Sequence, residues 1–221
     1  MKTGLLIHIL ILRSKGLSNY IFDLDGTLID SSERMYQVFC KLIPESKLSK
    51  EEYWKYKRNM VSHKMLIELL YPSVEFKQFN TLWLSKIEEE SYLAMDQKYP
   101  DTMTVLSQLK FDGHNLYLLT ARQSKKNLMD ELQHLGLIIF FDKILSTEGI
   151  YSKEYILNSY AKVNVDILNP NNIFISDMGK DLQMAKKYGF YTIAISHGFM
   201  KEDRLVQYAP DKIVSDLSEL L

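Results

Sequence analysis

The run Asn19-Tyr20-Ile21-Phe22-Asp23-Leu24-Asp25-Gly26-Thr27 decides the reading of the chain. Asn19 to Phe22 reads as a short, continuously apolar strand that ends at Asp23. Residues two apart on a strand share a face, so the carboxylates of Asp23 and Asp25 can enter one cleft. Two acids held together repel unless a cation or a proton exchange gives each a role. One can attack as a nucleophile while the other handles protons. Gly26 lets the chain leave the strand in a conformation other residues resist. Alone, the motif also fits a solvated Asp-Gly turn.

Outward from this run, short apolar strands alternate with helical patterns. Further strands are expected at Leu116–Leu119, Ile144–Leu145, Ile173–Ile175, Tyr191–Ile195 and Lys212–Val214. Between them, Val105, Leu106 and Leu109 precede Asp112-Gly113. Leu128, Leu132 and Leu135 stop at Gly136, and Met184, Ala185 and Tyr188 stop at Gly189. Buried strands alternating with helices imply an α/β fold, a parallel sheet with helices on both faces. Ligands of such sheets bind at the carboxyl ends of the strands. From Ser32 to Tyr99 no strand is expected. Met35, Val38, Phe39 and Leu42 mark one helix face, and Ser49 with Glu52 forms a capping-box pair. Met65, Leu66, Leu69 and Leu70 make another stripe, as do Phe79, Leu82, Trp83, Lys86 and Ile87. The expected organisation is an extension over residues 1–18, an α/β core over 19–30 and 100–221, and a helical insertion over 31–99.

The composition narrows the function classes. The 221 residues suffice for a core without staples, and 46% hydrophobic with 25% charged residues excludes a disordered chain. Lys and Arg number 27 against 28 Asp and Glu, which argues against a nucleic-acid binder. Cys40 is the lone cysteine, so no intramolecular disulfide forms, which suits a reducing cytoplasm. The apolar run Leu5–Leu12 falls short of the about 20 residues a membrane helix needs. It reads as an extra strand or a loosely anchored extension. Between Lys41 and Lys64 lie seven Lys or Arg and three Glu; this run and Glu88-Glu89-Glu90 are expected on the surface. His197-Gly198 reads as a loop.

Other residues can join the cleft. Asp177 and Asp181 follow the Ile173–Ile175 strand four apart. Oxygen ligands from two strand ends suit Mg²⁺, although a helix N-terminus also favours such a pair. Thr120 ends its strand and is expected to open a helix, where its hydroxyl holds a phosphate or caps the helix. Lys153 precedes the same strand as Asp177 and could bring positive charge to this face, or lie solvated.

The order of these motifs resembles the haloacid-dehalogenase-like hydrolase superfamily, in its phosphoglycolate-phosphatase-like branch with a helical cap. The resemblance covers roughly Asn19 to Leu221. It implies a Rossmann-like core and an inserted cap over 31–99. Asp23 matches the family's nucleophile and Asp25 its acid/base. Thr120 matches the phosphate-binding hydroxyl. Lys153, 24 residues before Asp177, matches the phosphate-binding lysine better than Lys143, which lies 34 before it. By the same resemblance Asp23, Asp177 and the backbone carbonyl of Asp25 hold Mg²⁺, Asp181 orients the metal site, and Arg122 touches substrate or lies solvated on a helix. Ser176 stands where a glycine often precedes the aspartate of this motif, and Glu154 where relatives commonly have proline. The implied activity is hydrolysis of a small phosphate monoester through an aspartyl-phosphate. A sugar phosphomutase and a non-catalytic binding protein on the same fold are the alternatives. The implied partner is a small phosphorylated metabolite, with neither nucleic acid nor membrane, for a cytoplasmic monomer or homodimer.

Overall fold

The computed structural model describes residues 18–221, so the Leu5–Leu12 run lies outside the described residues. The strands are β1 (Asn19–Phe22), β2 (Ile29–Asp30), β3 (Gln97–Lys98), β4 (Asn115–Thr120), β5 (Lys143–Ser146), β6 (Ile173–Ser176), β7 (Tyr191–Ile195) and β8 (Lys212–Val214). Six of them form a sheet in the order β5-β4-β1-β6-β7-β8, and every pairing is parallel. β1 lies between β4 and β6, with Phe22 in register with Leu118 and with Ile175. The strand order reverses there, so the carboxyl ends of β1, β4 and β6 meet at the point where open α/β sheets bind ligands.

Alternation along β1 divides the core. Tyr20 and Phe22 pack with Val105, Leu106 and Leu132 on one face, while Ile21 packs with Leu157, Phe174 and Leu182 on the other. Leu24 is fully buried on the Phe22 side. Leu24→Ala is therefore expected to lower stability by about 2–5 kcal/mol, read from denaturant unfolding, with turnover per folded molecule retained. Loss of turnover at unchanged stability would contradict that placement.

The helical region comprises α1 (Ser32–Leu42), α2 (Lys50–Arg58), α3 (His63–Leu70), α4 (Phe76–Lys86) and α5 (Glu90–Leu93). It has its own core of Val38, Phe39, Tyr53, Leu66, Phe79 and Trp83. The Ser49–Glu52 capping box forms as the sequence suggests. Three local expectations are corrected. β2 pairs antiparallel with β3 at the base of this region, where no strand was expected, because two residues leave no periodicity to read. α3 buries Leu66 and Ile67, while Met65 and Leu69 are exposed. Leu82 of α4 is likewise exposed. Among the described residues no helix is long and apolar enough to cross a membrane.

The core helices are α6 (Thr102–Phe111), α7 (Lys125–His134), α8 (Lys153–Ala161), α9 (Gly179–Lys187) and α10 (Glu202–Leu205). Thr120 does not open a helix, because α7 starts at Lys125 and its cap is Ser124, whose hydroxyl accepts from the Asn127 N–H. Lys153 is the first residue of α8.

Candidate active site

At the end of β1 the Asp23 N–H still donates to the Ile175 carbonyl at 3.0 Å, which fixes the residue on the sheet. The chain then turns back on itself, and the N–H groups of Thr27, Leu28 and Ile29 all donate to the Leu24 carbonyl. Asp23 is 5% exposed. Its Oδ1 accepts from the Leu24 N–H at 2.8 Å and from Lys153 Nζ at 2.7 Å. Lys153 Nζ also reaches Asp181 Oδ2 at 2.5 Å. Burial would lower the Lys153 amine, but Asp23 and Asp181 outweigh it and hold it charged. Asp181 thus aims the lysine at Asp23. Ser176 Oγ lies 3.4 Å from Asp23 Oδ2 and 3.5 Å from Asp181 Oδ2. Lys143, the other lysine the sequence offered, stands on β5 over the Tyr160 ring and is exposed.

Asp177 follows β6 and is fully buried. Its Oδ2 accepts from the Phe199 N–H at 2.6 Å, and the Thr27 hydroxyl donates to its Oδ1 at 3.3 Å. Gly26, at φ +75°, and Gly198 press against it so closely that a Cβ on either would clash with its carboxylate. Burial pushes the Asp23 carboxyl up to about 6, with Lys153 working against the rise and Asp181 adding to it. Burial and the neighbouring Asp23 raise Asp177 further. Among the described residues Lys153 is the sole cation paired with this acidic group, which leaves its carboxylates a demand for further positive charge. The donor set is all oxygen, which fits Mg²⁺. Among the described residues no cluster of three or more metal-ligating side chains forms. Two carboxylates nevertheless suffice for Mg²⁺, which keeps several waters.

Thr120 ends β4 beside β1, with its Oγ1 buried and without a hydrogen-bond partner among the described residues. An orphaned buried hydroxyl calls for a ligand, because leaving it unmade costs about 1–3 kcal/mol.

Asp25 sits in a different electrostatic setting. Its Oδ2 accepts from Arg122 Nε at 2.7 Å and its Oδ1 from Arg122 Nη2 at 3.0 Å, while Arg34 Nη2 also bonds Oδ1. Burial would push the Asp25 carboxyl up, but the Arg122 and Arg34 guanidiniums outweigh it and hold it at about 2. Arg122 is therefore neither solvated nor helical. It is 3% exposed, lies in the β4–α7 loop, and pairs with Asp25, Asp96 and Glu131.

Residues 20–195 match the family model described as haloacid dehalogenase-like hydrolase. The chain belongs to this family. Among curated relatives it is 21% identical to pyrophosphatase PpaX of Bacillus mycoides, over 93% of this chain and 95% of that one. It is 24% identical to phosphoglycolate phosphatase of Synechococcus elongatus, over 91% and 94%. A haloacid dehalogenase-like hydrolase of known structure from Streptococcus pneumoniae superposes with a TM-score of 0.76 at 22% identity. It covers 92% of this chain and 96% of that one and shows the shared fold.

Several residues of this haloacid dehalogenase-like site escaped sequence reasoning. Arg34, Asp96 and Glu131 complete the cluster around Asp25, and the Thr27 hydroxyl bridges to Asp177. A signal existed for two of them. Arg34 is four residues before Val38 and Glu131 three after Leu128, so both stand on apolar helix faces. Glu88, expected on the surface with Glu89 and Glu90, is buried instead and accepts from the Gln123 and Ser124 N–H groups at 2.7 and 2.8 Å. In the basic run, Arg58 reaches the Ser196 carbonyl at 2.5 Å, and burial pushes the half-buried Lys57 amine down to about 8. His197 stacks on Tyr99, ring centroids 3.6 Å apart, and bonds the Thr27 carbonyl at 3.1 Å, a structural loop position.

Proposed function

We propose that this chain is a Mg²⁺-dependent phosphatase of small phosphate monoesters, working through an aspartyl-phosphate on Asp23. The observation that supports the reading is that Asp23, Lys153 and Asp177 lie together at the end of β1, with the orphaned Thr120 hydroxyl at the end of the neighbouring strand β4. The relatives' names, pyrophosphatase and phosphoglycolate phosphatase, suggest its substrate class.

In this reading an Asp23 carboxylate oxygen bonds to phosphorus as the ester oxygen departs. Lys153 and Thr120 donate to the phosphoryl oxygens, where charge spreads in the transition state. Asp23, Asp177 and the Asp25 carbonyl would hold Mg²⁺, which supplies positive charge for the phosphoryl oxygens and the two carboxylates. Asp25, held as a carboxylate, is in the form that takes a proton from the water that cleaves the acyl-phosphate. Its earlier service as proton donor to the leaving oxygen requires the guanidinium contacts to loosen. Asp181 positions Lys153. The helices over 31–99 act as the cap, closing over the site and choosing the leaving group.

The test is hydrolysis of an aryl phosphate with Mg²⁺, which chelation should abolish. Activity that survives thorough chelation would remove this metal site. A pH dependence follows. Asp23 in the metal-free fold binds its proton up to about pH 6, above the carboxylate's ordinary 3.8. Protons therefore compete with Mg²⁺, whose affinity should rise with pH by up to about tenfold per unit for each proton displaced. The fold itself gains from protonated Asp23 below that range and loses the gain as pH rises through about 6. The rise in Tm on adding Mg²⁺ should accordingly be larger near pH 8 than near pH 5. Calorimetry showing equal affinity and no proton release would contradict it.

A further inference from the structure

The β7–α10 loop, Ser196 to Lys201, joins the helical region to the Asp177 carboxylate. Trp54 and Arg58 are four apart on α2 and so share one face of that helix. That face meets the loop. The Trp54 and Phe199 ring centroids are 5.1 Å apart, and Arg58 Nη2 donates to the Ser196 carbonyl at 2.5 Å. Asn59, the C-cap of α2, accepts from Lys201 Nζ at 3.1 Å. The helical region thus grips the loop at its start, middle and end.

The middle of the loop in turn holds Asp177. The Phe199 N–H donates to Asp177 Oδ2 at 2.6 Å. Gly198 lies so close that a Cβ there would stand 2.3 Å from the same oxygen and 2.2 Å from the Gly26 carbonyl oxygen. The core supplies the other restraint, the Thr27 hydroxyl on Oδ1 at 3.3 Å. A carboxylate has about four lone-pair directions, so these two donors fix its rotation and leave directions for a cation. The loop's anchors on the core lie on either side of Phe199. His197 bonds the Thr27 carbonyl, and the Met200 sulfur accepts from the Gly179 N–H at 3.1 Å. The Phe199 ring packs over Gly26 and against Trp54, so one wall of its seat belongs to the helical region.

We infer that Trp54 and Arg58 are positioning residues for the metal carboxylate, a role that rests on the phosphatase reading of the site. With the helical region closed, they hold the loop so that Phe199 keeps Asp177 aimed for Mg²⁺. Withdrawing the region removes one wall from Phe199 and one donor from Ser196, and the carboxylate gains freedom to turn. Coupling between two equilibria is reciprocal, so Mg²⁺ binding favours closure to the same extent that closure favours Mg²⁺. The metal-loaded protein is then the form that shuts on its substrate.

The test measures Mg²⁺ binding to the full chain by calorimetry, with no substrate present. Trp54→Ala changes no charge and removes no proposed ligand, and should weaken Mg²⁺ binding at least about fivefold. Trp54→Phe keeps a ring against Phe199 and should bind within about twofold of the wild type. Phe199→Leu keeps the N–H and loses the ring. Combined with Trp54→Ala it should weaken binding no further than either change alone. Arg58→Gln removes a cation, which by charge alone would tighten Mg²⁺ binding, so weaker binding is the expected result. Tighter binding would remove Arg58 from this role. Folded Trp54→Ala protein that binds Mg²⁺ like the wild type, or additive losses in the double variant, would overturn the coupling. The phosphatase reading then stands if the wild type hydrolyses an aryl phosphate with Mg²⁺. If the wild type neither binds Mg²⁺ nor hydrolyses the ester, both fall. Should Trp54→Ala fail to fold, hydrogen exchange of the wild type decides. Mg²⁺ should slow exchange across residues 50–59, and unchanged exchange there would overturn the coupling.

Discussion

Asp23→Asn should reduce kcat by about 10⁴-fold or more while the protein stays folded. The amide is nearly isosteric and keeps an oxygen to accept the Leu24 N–H, so the turn after β1 survives. What disappears is the anion that would bond to phosphorus. The change also removes one charge from an acidic group in which burial and repulsion push carboxyls upward, while Lys153 keeps Asp181 as its partner. Thermal stability without metal should therefore change little, and the response of Tm to Mg²⁺ should weaken. Activity measured beside a melting curve separates these effects. A variant that retains a tenth of the wild-type rate would exclude Asp23 as nucleophile.

Arg122→Met should act mainly on stability. The guanidinium is 3% exposed and pairs with three acidic side chains, of which Asp25 is held firmly as a carboxylate, the others being Asp96 and Glu131. Truncating one partner of a buried ionic cluster leaves uncompensated charge and lowers stability by about 3–5 kcal/mol. Glu131→Gln in the same background should recover part of the loss, because the two side chains are 3.1 Å apart and their effects are not additive. Denaturant unfolding of the two single variants and the double variant measures that coupling. A loss below about 1 kcal/mol for Arg122→Met would mean that the cluster is well solvated.

Much of the framework is legible because it depends on local pattern. β7 and β8 fall on the residues whose apolar runs announce them, and the switch point follows from where polar residues interrupt those runs. Asp23, Asp177 and Lys153 converge because strand ends and a helix start carry them there, and their spacing along the chain suggests as much. The Asp25 clamp is different in kind. Arg34, Asp96, Arg122 and Glu131 come from α1, the α5–β3 connection, the β4–α7 loop and α7, so no local period joins them. Only charges on otherwise apolar helix faces hint at it. β2 and β3 are legible solely through tertiary pairing, and Thr120 misleads because a strand end and a helix cap favour the same residue type.

The most direct measurement is the mass of the Asp23 peptide after acid quench of the enzyme reacting with an aryl phosphate and Mg²⁺. Asp25→Asn is the variant of choice, because it keeps the nucleophile and removes the base that activates the second-step water. The peptide containing Asp23 should gain the mass of one phosphoryl group in Asp25→Asn, and the corresponding peptide of Asp23→Asn should gain none. A phosphoryl group found on another residue, or no phosphoenzyme in Asp25→Asn while turnover continues, would contradict the role given to Asp23.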